Sequence, residues 1–258
     1  MLLTPFAAAA VLARTVRWQE AAALVAVIAA YAMKDPLVVL ARQRWVWKQP
    51  HPEAPAALRW ATAEAAMTAV CGLALVATGP LIAYALLFGG AAAFSALAVW
   101  INVRNRQRAV LFQVASAVAL TSTSLIAALA ATSSIPNWCW RLWVLLAVQA
   151  AAGIFTVHAR LDARVASRKA AGSGTVENAS SRRQAIVFVV LLAFGGVAAA
   201  IAENYWIGGA LLLAAAAYAL ELRRQLDPEL LQLPLTTVGL QSLSLSLIYA
   251  ALLVAGLR

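Results

Sequence analysis

Charge is what this sequence has least of: only 12% of its 258 residues are Asp, Glu, Lys or Arg, against roughly 25% in soluble globular proteins. Too little polar surface is available to coat a water-soluble globule. Acids are scarcer than bases, 10 against 20, and there are 2 histidines and 2 cysteines. His51, His158, Cys71 and Cys139 stand too far apart in the chain to supply zinc-ligand spacing, so the expected metal complement is none. A disulfide would require Cys71, in mid-span, and Cys139, at a span rim, to share one depth, and both read as packing residues. A glycine-rich phosphate loop and a serine, histidine and acid signature are also lacking.

What is present is apolar: 64% of the residues are hydrophobic, against about 45–50% in soluble domains. They lie in long runs almost free of charge, and about 20 residues of helix cross roughly 30 Å of hydrocarbon. Ala and Leu dominate, without the alternation of a barrel strand. The sequence therefore predicts an all-α, polytopic integral membrane helix bundle of about nine transmembrane helices, at 2–13, 20–40, 61–78, 81–100, 110–132, 138–157, 185–202, 206–222 and 237–257. It reads as a single transmembrane domain over 1–258, with longer loops at 41–60 and 158–184. The first segment is too short to cross alone, since twelve residues of helix reach about 18 Å. It is either a half-span or the remnant of a chain whose native start lies upstream of Met1. No basic region precedes Leu2, as a signal peptide would require.

The cations are distributed by side. Sixteen of the 20 lie in alternate connections: Lys34, Arg42, Arg44, Lys48 and Arg59; Arg104, Arg106 and Arg108; Arg160, Arg164, Arg168, Lys169, Arg182 and Arg183; Arg223 and Arg224. The intervening connections "ATGP" (77–80), "SSIPN" (133–137) and "ENY" (203–205) carry none. Cationic loops are retained in the cytoplasm, so the expected placement is a bacterial inner membrane with the N-terminus inside and the C-terminus outside. The +10 formal charge then follows from topogenesis and does not point to nucleic acid. The short connections imply antiparallel hairpins. Small-residue runs at 88–98 and 194–202 are the expected surfaces of close helix packing.

Candidate functional residues follow from charge near the membrane edge. Lys34, Asp35 and Pro36 interrupt an apolar helix, where Pro36 would kink it and free backbone carbonyls. Arg42 and Arg44 follow. Asn102, Arg104 and Asn105 belong to "NVRNRQR", the densest polar cluster between two spans. Arg160 and Arg164, with Asp162 between them, recur at helical spacing beyond the sixth span. Guanidinium groups hold phosphate oxygens through paired hydrogen bonds; each cluster also reads as ordinary membrane-flanking charge. Glu64, Glu203 and Asn204 read as interface-solvated groups, and Gln113 or Gln149 would line a polar passage if the protein were a transporter.

The stretches "MLLTPFAAA" (1–9), "NVRNRQRAVLFQVASA" (102–117) and "LPLTTVGLQSLSLSLIYAALLVAG" (233–256) resemble the bacterial YwiC-like family, uncharacterised multi-pass membrane proteins. Members carry a Glu-His-Gly-Ala-Trp type stretch ahead of the first of these; its lack here suggests a late start. A weaker, architectural resemblance is to the UbiA superfamily of intramembrane prenyltransferases, which implies aspartate-rich, magnesium-binding loops after spans two and six. The corresponding acids, Asp35 with Glu53 and Asp162 with Glu177, lack the four-residue spacing. Three functions follow as expectations. The first is binding of a membrane lipid or other anionic amphiphile at the basic face, without cofactor. The second is a divergent prenyltransferase acting on an isoprenoid diphosphate, which alone would need Mg2+. The third is a small-molecule transporter. Catalytic residues are not assigned.

Overall fold

The computed structural model describes residues 2–49, 51–104, 109–170, 179–231 and 234–258, and among these every regular element is a helix. Among the described residues, eight helices are long and apolar enough to cross a membrane, and Leu3–Ala13 is a shorter apolar one. They coincide with the nine expected segments, so the chain is a multi-pass membrane protein. Leu58, Val70, Ile82, Leu86, Val190 and Phe194 are exposed. Such outward apolar faces are stable only where the solvent is itself hydrocarbon. The chain divides into two compact units, Met1–Trp140 and Arg141–Arg258.

Unit 1 contains α1 (Leu3–Ala13), α2 (Trp18–Ala32), α3 (Lys34–Arg42), α4 (Ala54–Thr78), α5 (Leu81–Val103), α6 (Val110–Thr121) and α7 (Thr123–Thr132). Helices α2 and α3 form one crossing interrupted at Met33, two residues before Asp35 and three before Pro36, as the sequence suggests. A π-helical turn, Gln43–Trp47, completes it. Exposed Trp45, Trp47, Trp60 and Trp100 mark one end of this unit and Trp18 the other, the placement of aromatic belts at membrane interfaces. Between α4 and α5, Gly79 is required by space, because a Cβ there would stand 2.6 Å from Tyr84 Cε2.

The first segment is a half-length helix seated on another half-length helix. At 11 residues, α1 reaches about 16 Å; it packs on α7, whose residues Thr123–Ala131 are all buried. Thr123 Oγ1 lies 3.0 Å from Leu2 O, and Thr15 Oγ1 lies 3.4 Å from Ala131 O, so the two helices run parallel, start beside start. The half-length of α7 comes from a break at Ser122. There the hydroxyls of Thr121 and Ser122 donate to the carbonyls of Val118 and Ala119 at 2.9 and 2.7 Å, a side-chain competition that bends helices.

Unit 2 contains most of α8 (Asn137–Ala170), with α9 (Ala179–Ile201), α10 (Tyr205–Arg224), α11 (Pro228–Leu231) and α12 (Leu235–Leu257). Helices α9 and α10 form an antiparallel hairpin in which Glu203 takes a left-handed φ of 61°. The Asn204 side chain caps α10 by accepting the Ile207 N–H at 3.2 Å. The run 194–202 packs closely, for a Cβ on Gly208 would come within 2.9 Å of Gly196 O. The run 88–98 does not: nothing lies within 4 Å of a Cβ built on Gly89 or Gly90. Helices also exceed the expected spans. Helix α4 starts at Ala54, α8 continues to Ala170 and α9 starts at Ala179, so much of 41–60 and 158–184 is helical where loops were expected. Hydropathy reports residence in lipid, whereas backbone hydrogen bonding carries a helix on into the polar interface.

Candidate functional site

In unit 1, the basic clusters serve helix ends. Lys34 lies 4.0 Å from Asp35 in an ion pair whose acid is 90% exposed, an arrangement worth little in energy. Arg42 Nη2 donates to Asn102 O at 3.2 Å, and buried Asn102 donates its own amide N–H to Ala98 O at 3.0 Å. A cation thereby meets the carbonyl end of α5, where the helix dipole favours it. Arg104 lies over the Trp100 ring, 4.0 Å from its centroid. Arg44 is exposed, and Asn105 lies outside the described residues together with Arg106 and Arg108. Within this unit the structure brings Arg42 and Asn102 together. Lys34 and Asp35 stand at the opposite end of the 9-residue α3, about 12 Å away along its axis.

In unit 2, polar side chains reach between helices. Along α8, Gln149, Thr156, Arg160 and Arg164 recur at intervals that hold one helical face. Gln149 Nε2 donates to Tyr218 OH at 2.9 Å and to Ser246 Oγ at 3.1 Å. Tyr249 OH donates to Leu145 O at 3.0 Å, and Gln225 Nε2 donates to Thr156 O at 3.1 Å. Near the end of α10, Arg160 is 1% exposed and forms an ion pair with Glu221. Its Nη2 also donates to Leu230 O at 2.6 Å and Leu231 O at 3.2 Å, and Arg164 Nε donates to Leu231 O at 2.8 Å. Two guanidinium groups thus clasp the last carbonyls of α11. The Nε of Arg160 is buried without an acceptor among the described residues. Asp162 is half-buried between them in sequence and takes part in polar interactions of its own.

Beside this clasp lies a cavity of about 280 Å³ bounded by α8, α10 and α12, with Gly153, Tyr218, Glu221, Arg224, Gln241 and Leu245 in its walls. Glycine at 153 keeps it open, since a Cβ there would stand 3.0 Å from Tyr218 OH. Arg160, Asp162 and Arg164 are not among its walls; Glu221 joins the cavity to Arg160. Sequence reasoning did not single out Glu221, Tyr218 or Arg224 as site residues. The usable signal was the polar face of α8, which demanded partners on whatever helix lay opposite.

Comparison with known proteins places a family name on part of the chain. No curated protein and no solved structure matches it, and the resemblance to UbiA-type prenyltransferases finds no support there. One family model, described as YwiC-like protein, matches residues 1–128. The match includes two of the three resembling stretches, 1–9 and 102–117, and ends before 233–256 and before the cavity of unit 2. Over residues 1–128, this multi-pass membrane protein is similar to the YwiC-like family.

Proposed function

We propose that unit 2 binds an anionic amphiphile, its head group at Arg224 and its first carbons in the cavity below. The observation that supports this is the cavity's gradient of lining: Glu221 and Arg224 stand at the end of α10, while Val157, Ala217 and Leu245 line its apolar part. Because Arg160 neutralises Glu221, Arg224 leaves a local excess of positive charge. The hairpin of α9 and α10 brings exposed Arg182, Arg183 and Arg223 to the same end, adding attraction for an anionic head. Gln241 and Ser242 offer neutral donors to it. At about 280 Å³ the cavity is near the lower bound of roughly 300 Å³ for small-molecule sites, so it takes a head and the start of a chain while the remaining tail stays in lipid. This reading places the Arg224 end at the cytoplasmic face of an inner membrane, in keeping with the bias of cations among the loops.

The test is native mass spectrometry of the full chain released from nanodiscs that contain an equal mixture of phosphatidylglycerol and phosphatidylethanolamine. The expected result is selective retention of the anionic lipid, lost in Arg224→Gln. Equal retention of both lipids, or a lipid-free mass under conditions that preserve other lipid complexes, overturns the proposal.

A further inference from the structure

The cavity of unit 2 has polar walls of two kinds. Some groups are already bonded within the protein: Tyr218 OH accepts from Gln149 Nε2 at 2.9 Å and donates to Gln149 O at 3.2 Å, and Thr156 Oγ1 donates to Ala152 O at 2.8 Å. Others are unspent. The side chains of Arg224, Gln241 and Ser242, all in the walls, make no hydrogen bond or ion pair among the described residues. Glu221 gives Oε1 to Arg160, and its Oε2 has no partner among the described residues. Unbonded polar groups near the membrane interior are costly, so these four mark the wall that a ligand would meet.

Two interhelical contacts set their depths. Asn204 Nδ2 donates to Gly256 O at 3.2 Å, so the start of α10 lies beside the end of α12 and the two run antiparallel. Gln149 Nε2 donates to both Tyr218 OH and Ser246 Oγ, which links α10 and α12 again farther along. Counted from either contact, Arg224 stands nearest the membrane edge, and Glu221, Gln241 and Ser242 all lie inward of it. Glu221 is three residues inward, about 4.5 Å along the helix.

This order constrains the ligand. With an anionic head at Arg224, the unspent Glu221 oxygen requires a hydrogen-bond donor on the ligand just inward of the head. A diacyl glycerophospholipid has none there, because both backbone oxygens beyond the phosphate are esterified and would face the carboxylate as acceptors. A single-chain lysophospholipid keeps one hydroxyl, which suits Glu221, and one ester carbonyl, which suits Gln241 and Ser242. A ligand ammonium is disfavoured, since Arg160 already neutralises Glu221 and Arg224 leaves the group positive. One chain also agrees with a volume of about 280 Å³, and exposed Val157 and Leu220 in the walls let that chain leave into lipid.

We propose, resting on the reading of unit 2 as an anionic-amphiphile site, that its ligand is a lysophospholipid and that Glu221 is the residue selecting the free backbone hydroxyl. The full chain in mild detergent is offered equal amounts of three lipids that share one phosphate head: monoacyl glycerol phosphate, the monoacyl propanediol phosphate that lacks its hydroxyl, and diacyl phosphatidic acid. Native mass spectrometry reads which are retained. The expected result is a preference of about tenfold for the hydroxyl-bearing monoacyl lipid over each of the others, the worth of one hydrogen bond to a charged group. In Glu221→Gln, where Oε1 stays with Arg160 and the amide nitrogen turns to the cavity as a donor, that preference is expected to disappear. Equal retention of all three by the parent chain leaves the anionic-lipid reading standing and overturns this one. A preference that Glu221→Gln leaves intact overturns it as well, and retention of none overturns both readings. Should Glu221→Gln not fold, the double variant Arg160→Met with Glu221→Leu, which strands no charge, is read for the same loss of preference; a preference it retains overturns the proposal equally.

Discussion

The two units differ in how most of their polar side chains are bonded, the exceptions being Thr123 and Arg42, which reach between helices in unit 1, and Thr156, which bonds locally in unit 2. In unit 1 the hydroxyls of Thr68, Ser116, Thr121 and Ser122 turn back to carbonyls of their own helices, and helix packing relies on buried alanines such as Ala23, Ala26, Ala57 and Ala61. In unit 2 Gln149, Tyr218, Gln225, Tyr249 and Arg160 bond across helices instead. A hydroxyl bonded within its own helix bends that helix without specifying a neighbour. A side chain bonded to another helix fixes both register and partner. Unit 2 is accordingly the one in which substitution of a single polar residue should propagate.

The largest expected effect is at the clasp. Arg160→Met leaves Glu221 unpaired and removes the Arg160 donor from the Leu230 carbonyl, and should cost about 3–5 kcal/mol, read as a fall in the denaturation midpoint of the purified protein. The double variant Arg160→Met with Glu221→Leu should recover most of that loss, because the stranded charge is gone. Next is Gly208→Val, which drives a side chain into the Gly196 backbone and should cost about 1–3 kcal/mol by the same measurement. Gln149→Leu removes two interhelical hydrogen bonds and should cost about 0.6–1.7 kcal/mol. Smallest is Ser122→Ala in unit 1, expected within about 0.5 kcal/mol of the parent because its bond is local. A Ser122 effect larger than that of Gln149 would erase the contrast between the units.

The crossings were legible in the sequence because transfer into lipid depends on composition over some twenty residues, and composition is local. The break at Met33 was legible for the same reason, since Pro36 acts on its own helix. The break at Ser122 was not, because threonine and serine hydroxyls choose between a helix carbonyl and another partner only once neighbours are in place. Likewise, Arg160 read as one of a row of membrane-flanking charges, yet it is buried against Glu221, 61 residues away. Only the return of α10 beside α8 supplies that acid. Arg42 is intermediate: its position near the membrane edge was readable, but its attachment to the end of α5 depends on tertiary packing.

The 34 residues of α8 make a rod of about 50 Å, well beyond the hydrocarbon thickness, and Arg160 and Arg164 grip α11 roughly two-thirds of the way along it. A rod held at such a fulcrum acts as a lever. Any tilt of that rod would be felt first at Glu221, because Arg160 joins the two.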